Sequence, residues 1–150
     1  MRVAVGSDEQ TSTTDAVVEE LRRREAKVEL FGALAQGDDT SWPEVARRVA
    51  EQVSQGRCSQ GLLFCWTGTG VSMAANKVPG ARAALCVDAA TAAGARRWND
   101  ANILCMSLRL TTPALAIEML EAWFSASPEA SEGENIERLK ALDAVRAGAR

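Results

Sequence analysis

Between Leu62 and Lys77 the chain reads LLFCWTGTGVSMAANK. Cys65 closes a greasy run, Trp66 follows, and Thr67, Gly68, Thr69 and Gly70 make a loop of small residues before a helical pattern resumes. Glycines let a backbone turn tightly, so that successive N–H groups point at one spot, and a helix N-terminus adds its dipole. Such a cradle suits a phosphate or the oxyanion of a developing enediolate. A thiol beside it can move a proton at carbon if the dipole favours its thiolate. The plain alternative is a core cysteine above a tight turn. The loop is not a Walker-type phosphate loop, because no Gly-Lys-Ser/Thr follows. Nor is it a dinucleotide fingerprint, because Gly68-Thr69-Gly70 runs on into Val71-Ser72-Met73.

The remaining cysteines, at positions 58, 86 and 105, lie in or beside apolar runs. No CxxC pair occurs and the chain has 0 histidines, so a zinc site has no ligand set and no metal is expected. Buried free thiols in a reducing compartment fit these three positions. The chain has 150 residues, enough for one domain with a sizeable core, and a net charge of −3. No basic stripe marks a nucleic-acid partner. No apolar run reaches the roughly 18 residues that span a bilayer. The opening MRVAVGSDEQ lacks the apolar stretch of a signal peptide, so a cytoplasmic location is expected.

The elements that must position the loop alternate. RVAVGSD, VELFG, QGLLFCW, ARAALCVD and ANILCMS read as strands. Helical patterns fall between them. TDAVVEELRRREAK is capped by Thr13 or Thr14, SWPEVARRVAEQVSQG by Ser41, and TPALAIEMLEAWFSA by Thr112 with Pro113 at its first position. Strands apolar on both faces, alternating with helices, predict an α/β fold: a single-domain, Rossmann-like three-layer αβα sandwich around a five-stranded parallel sheet. Ligands bind such sheets at the carboxyl ends of strands near the topological switch point. That directs attention to Ser7 and Asp8, to Cys65 through Gly70, to Asp88, and to Ser107 through Arg109. The tail, 125–150, is polar with a final helical pattern whose Ile136, Leu139 and Leu142 share one side. It is expected to pack on a partner subunit.

The stretches VAVGSD, CWTGTGVSMAANKVPGARAALC and NDAN resemble the family of type B ribose-5-phosphate isomerases and galactose-6-phosphate isomerase subunits. The family pattern is GSDHAG, then CGTGIGxSIAANKxxGIRAALC, then a histidine immediately before NDAN. The resemblance implies a five-stranded parallel sandwich. It implies homodimers or larger assemblies with shared active sites, and aldose–ketose isomerisation through a cis-enediolate without metal or cofactor. Carried over by position, Cys65 is the catalytic base and Thr67 helps protonate the sugar oxygens. Asp8 binds hydroxyls and assists ring opening. Gly68 and Gly70, with Thr69 between them, form the cradle. Asn99 reaches the substrate from the partner subunit, Arg109 sits where the family's GARV arginine sits, and Arg138 matches one arginine of its C-terminal phosphate clamp.

The departures gather at the site. Glu9 stands for the histidine of GSDHAG, Trp66 for the first loop glycine and Trp98 for the ring-opening histidine; Glu134 replaces one clamp arginine. Carboxylates at 9 and 134 repel a phosphate dianion, since two unit charges about 4 Å apart interact by roughly 4 kcal/mol at an effective dielectric near 20. An indole donates one hydrogen bond and accepts none, so Trp98 cannot shuttle protons. Trp66 and Trp98 favour stacking on an apolar or planar face, although each also fits a packing or subunit-contact role, and Trp42 lines the pocket or packs on its helix. The expectation is therefore an isomerase of the same reaction type on a substrate, bound by Glu9, Trp66 and Trp98 among others, that is not phosphorylated. Two alternatives stay open. One is a pentose or tetrose phosphate held by a rebuilt clamp of Arg109, Arg138 or Arg97. The other is a repurposed enzyme or binding module.

Overall fold

Three of the five strands carry apolar residues on both faces, and both sets are buried. In β1 (Arg2–Ser7), Val3 and Val5 face one way and Ala4 the other, all at 0 % exposure. The computed structural model of the chain describes residues 1–148. It adds β2 (Lys27–Gly32), β3 (Gln60–Cys65), β4 (Ala83–Leu85) and β5 (Ile103–Ser107), all parallel, in the order β2-β1-β3-β5-β4. Helices α1 (Ser12–Arg23), α4 (Ala89–Asn99) and α5 (Pro113–Ser125) cover one face. There Val17, Leu21, Leu120 and Trp123 pack on Val3, Val5, Phe64 and Met106. Helices α2 (Trp42–Ser54) and α3 (Thr69–Ala75) cover the other, with Val45, Val49 and Val71 against Ala4, Leu63 and Ile103. The expected single-domain αβα sandwich is the one observed.

The crossover from β1 leads to β2 on one side and the crossover from β3 leads to β4 on the other, which makes β1/β3 the switch point. Parallel register sets Ser7 opposite Phe64 and Cys65 opposite Ser107, so the ends of β1, β3 and β5 open on one crevice.

Two local expectations are corrected. The cap of α1 is Thr11, not Thr13 or Thr14. Thr14 N donates to Thr11 Oγ1 at 3.4 Å and Thr11 N to Thr14 Oγ1 at 2.9 Å, a reciprocal box in which Thr14 is the far member. Thr13 instead donates its hydroxyl to Thr111 O at 2.9 Å, tying α1 to the turn before α5. The expected ARAALCVD strand shrinks to three residues at the sheet edge, where Asn76 occupies the outer side of Ala83. Ala83 N donates to Asn76 Oδ1 and Asn76 Nδ2 to Ala83 O, both at 2.8 Å. Helix α6 (Gly133–Gly148) docks on its own chain: Ile136 is buried, Gly80 N donates to Asp143 Oδ2 at 2.8 Å, and Lys140 Nζ lies 3.4 Å from Asp100 Oδ2. Its Leu139 and Leu142 remain exposed. Residues 149–150 of the expected tail lie outside the described residues.

Candidate active site

Strand β3 ends at Cys65, and the chain must leave the sheet at once to begin α3. Gly68 makes the turn with φ +75, a left-handed conformation that side chains resist. A Cβ there would sit 2.6 Å from Leu85 Cδ1 and 3.0 Å from Met106 C, so no other residue fits without rearrangement. The first helical bond runs from Ser72 N to Gly68 O at 3.3 Å, which leaves the amides of Thr69, Gly70 and Val71 without an intrahelical acceptor. The turn after β5 fixes the loop's entry. Leu108 N donates to Cys65 O at 3.0 Å, and Trp66 O accepts from Arg109 N at 2.9 Å and Ser107 Oγ at 3.0 Å. Arg109 thus serves the loop through its backbone, while its side chain stays exposed.

Asp8 is set by a similar device at the end of β1. Ser7 Oγ donates to Glu9 O at 2.6 Å and accepts from Glu9 N at 3.2 Å, closing a tight turn around it. Its Oδ1 is buried without a hydrogen-bond partner among the described residues. Burial pushes the Asp8 carboxyl above its ordinary pKa and the neighbouring Glu9 charge adds to this, against a hydrogen bond from its own backbone N–H.

Asp8, Cys65, Trp66, Thr67, Thr69 and Gly70 line one cavity of about 340 Å³. Cys65 keeps 6 % of its surface exposed at the bottom. The Thr67 and Thr69 hydroxyls share a hydrogen bond of 2.7 Å, so one proton of the pair remains to be offered or taken elsewhere. The other three thiols are withdrawn from chemistry by desolvation. Cys58 is pushed up to about 11 and Cys86 to about 12, and fully enclosed Cys105 is raised as well. Among the described residues no group of three or more cysteine, aspartate or glutamate side chains is placed to hold a metal ion.

Trp42 and Met73 complete the lining. Trp42, at the start of α2, lies over Gly70, whose added Cβ would meet three indole ring atoms at 3.1–3.3 Å. Met73 was missed by sequence reasoning; its position one helical turn beyond Thr69 and Gly70 was the available signal. Gly68 is buried beneath the loop and Glu9 is exposed beside it. Besides Glu9 and Gly68, four further expected substrate contacts do not line this cavity within the protomer. Arg109 faces solvent. Trp98 folds over Gly94 of its own helix and, with Asn99, lines a separate cavity of about 460 Å³ between β4 and α4. Arg138 is exposed and pairs with Glu134 at 2.5 Å.

The parallel sheet thus brings Cys65, Asp8 and the glycine loop between β3 and α3 to one cavity at its switch point. The ribose/galactose isomerase family profile matches residues 3–142. Ribose-5-P isomerase B of Listeria innocua is 32 % identical over 127 residues, 84 % of this chain and 85 % of that protein. D-erythrulose-4-phosphate isomerase of Pectobacterium atrosepticum is 32 % identical over 130 residues, 86 % of each chain. The structure of Clostridium thermocellum ribose-5-phosphate isomerase B superposes with a TM-score of 0.89 at 31 % identity, over 97 % of this chain and 99 % of that one. The chain belongs to the ribose/galactose isomerase family and is a sugar isomerase.

Proposed function

We propose that the enzyme interconverts an aldose–ketose, or equivalent hydroxy-carbonyl, pair that carries no phosphate. The observation that carries this reading is the cavity itself: it unites Cys65 with Asp8 and, among the described residues, no lysine or arginine lines it. The Cys65 thiolate takes the proton from the hydroxyl-bearing carbon next to the carbonyl. The electron pair moves into a cis-enediolate, and the same thiol returns a proton to the neighbouring carbon, so the reaction is redox-neutral overall. Amides of the Gly68–Gly70 loop face the developing oxyanion, and the Thr67–Thr69 hydroxyl pair relays the proton between the two substrate oxygens. Asp8 accepts from substrate hydroxyls through its unpartnered oxygen. A second copy of the chain supplies Asn99, which does not line this cavity in the protomer.

The test is solvent deuterium incorporation at the carbon beside the carbonyl of unphosphorylated ketoses. Incorporation by the wild type, falling about 10²–10⁴-fold in Cys65→Ala, is the expected result for loss of a positioned general base. Equal incorporation by both proteins removes Cys65 from the reaction.

A further inference from the structure

Three large apolar side chains stand in water at one cavity mouth: Trp66 is 58 % exposed, Trp42 43 % and Met73 62 %. Large hydrophobes left exposed together on a folded surface mark a recognition site more often than chance. These three are held on fixed backbone. The Trp66 carbonyl is doubly bonded, to Ser107 Oγ and Arg109 N. Trp42 begins α2 and its ring is backed by Gly70. Met73 projects from α3. Rigid aromatic walls with one adaptable thioether are suited to a planar or apolar guest.

The cavity is polarised along its depth. Cys65 is nearly enclosed and Asp8 partly so, with Thr67 and Thr69 nearby, while the indoles and the thioether form the exposed rim. A substrate whose hydroxy-carbonyl end meets the thiol places its far end against that rim. Among the described residues of the protomer no cationic side chain lines the cavity to receive an anion there, and no carboxylate besides Asp8 lines it to receive a cation. Of the candidate clamp arginines, Arg138 is paired with Glu134, and Arg109 and Arg97 do not line the cavity.

We propose that Trp42, Trp66 and Met73 are the specificity wall of this isomerase, and that its substrate is a hydroxy-carbonyl compound whose remote end is an uncharged planar or apolar group. The proposal rests on the isomerase reading above for the reacting end, and on the rim alone for the remote end.

Three matched ketopentoses test it: 5-deoxy-D-ribulose, 5-O-benzyl-D-ribulose and D-ribulose 5-phosphate. None has a free 5-hydroxyl, so none closes to a furanose, and ring opening does not enter the comparison. Deuterium exchange and calorimetric binding are read for each on the wild type, Trp66→Gly and Trp66→Phe. The expected result is a benzyl-to-phosphate selectivity of at least tenfold in the wild type, falling at least tenfold in Trp66→Gly and largely kept in Trp66→Phe. Binding of the phosphate as tight as, or tighter than, the benzyl ether overturns the wall. A selectivity unchanged in Trp66→Gly overturns it equally. Exchange from none of the three, with the benzyl ether still bound more tightly, removes the isomerase reading and leaves the wall supported.

Discussion

At the scale of single residues, the site is a contrast between one available thiol and three withdrawn ones. Desolvation holds Cys58 at about 11 and Cys86 at about 12 and raises Cys105, so these stay protonated at neutral pH, and the thiolate is the form that reacts. Iodoacetamide at pH 7.5 is expected to label Cys65 first; peptide mapping that finds Cys58 modified ahead of it tells against the assignment. Asp8 carries a different cost. Its pKa is raised in the folded chain, so the native state holds the proton more tightly than the unfolded one. The stability this gives is complete below the ordinary value of 3.8 and is lost as pH rises through the folded pKa. At pH 7 the buried charge is a burden accepted for function. Asp8→Asn is expected to raise Tm at pH 7, to lose that advantage as pH approaches 3, and to cut turnover at least tenfold. An unchanged or lowered Tm at pH 7 contradicts the burial argument. Cys65, Asp8 and the loop were legible in the sequence because their types and order carry the chemistry. Which side chains surround them was not: Met73 lies in a helix that reads as ordinary, and Trp98 folds back on Gly94 for a packing reason no linear pattern displays.

At the scale of elements, the decisive join is the β3–α3 turn. It works only because Gly68 accepts φ +75 and presents no Cβ to Leu85 and Met106. Gly68→Ala therefore combines a left-handed alanine with a close steric contact, together about 1–3 kcal/mol. In a chain of this size that lowers Tm by roughly 2–4 °C for each kcal/mol. Gly37 is the control, with φ +73 but nothing within 4 Å of an added Cβ. Thermal melts of the two alanine variants separate backbone strain from collision, and an equal loss in both removes the steric half of the argument. The alternation of strands and helices was readable because each buried strand is apolar on both faces. The short β4 was not, because at its first residue, Ala83, a side chain from elsewhere, Asn76, takes the place of a neighbouring strand. The Thr11 cap escaped for a similar reason, since Thr11, Thr13 and Thr14 look alike in sequence and only the hydrogen-bond geometry assigns their roles.

At the scale of the whole molecule, the surface around the sheet edge is unfinished. Among the described residues no helix is long and apolar enough to cross a membrane, so a bilayer-spanning helix does not account for it. Leu139 and Leu142 of α6 line a cavity of about 400 Å³, Trp98 lines the one of about 460 Å³, and the two share Ala84 and Asn99. The exposed faces of Leu142 at 56 % and Trp98 at 51 % therefore border one continuous region beside β4. Helix α6 is anchored to its own body at Ile136, Lys140 and Asp143, so the leucines between and beside these anchors are presented rigidly. A second copy covering this region would bury apolar surface worth about 25 cal/mol for each Å². It would also bring in Asn99, which does not line the thiol cavity within one protomer. Sedimentation equilibrium is expected to give at least twice the protomer mass. Leu142→Lys is expected to shift the population toward monomer and to reduce isomerase activity at least tenfold, with far-ultraviolet circular dichroism unchanged. A fully active wild-type monomer shows that the cavity at Cys65 is complete within one chain, and a Leu142→Lys dimer of undiminished mass and activity shows that this face serves something else.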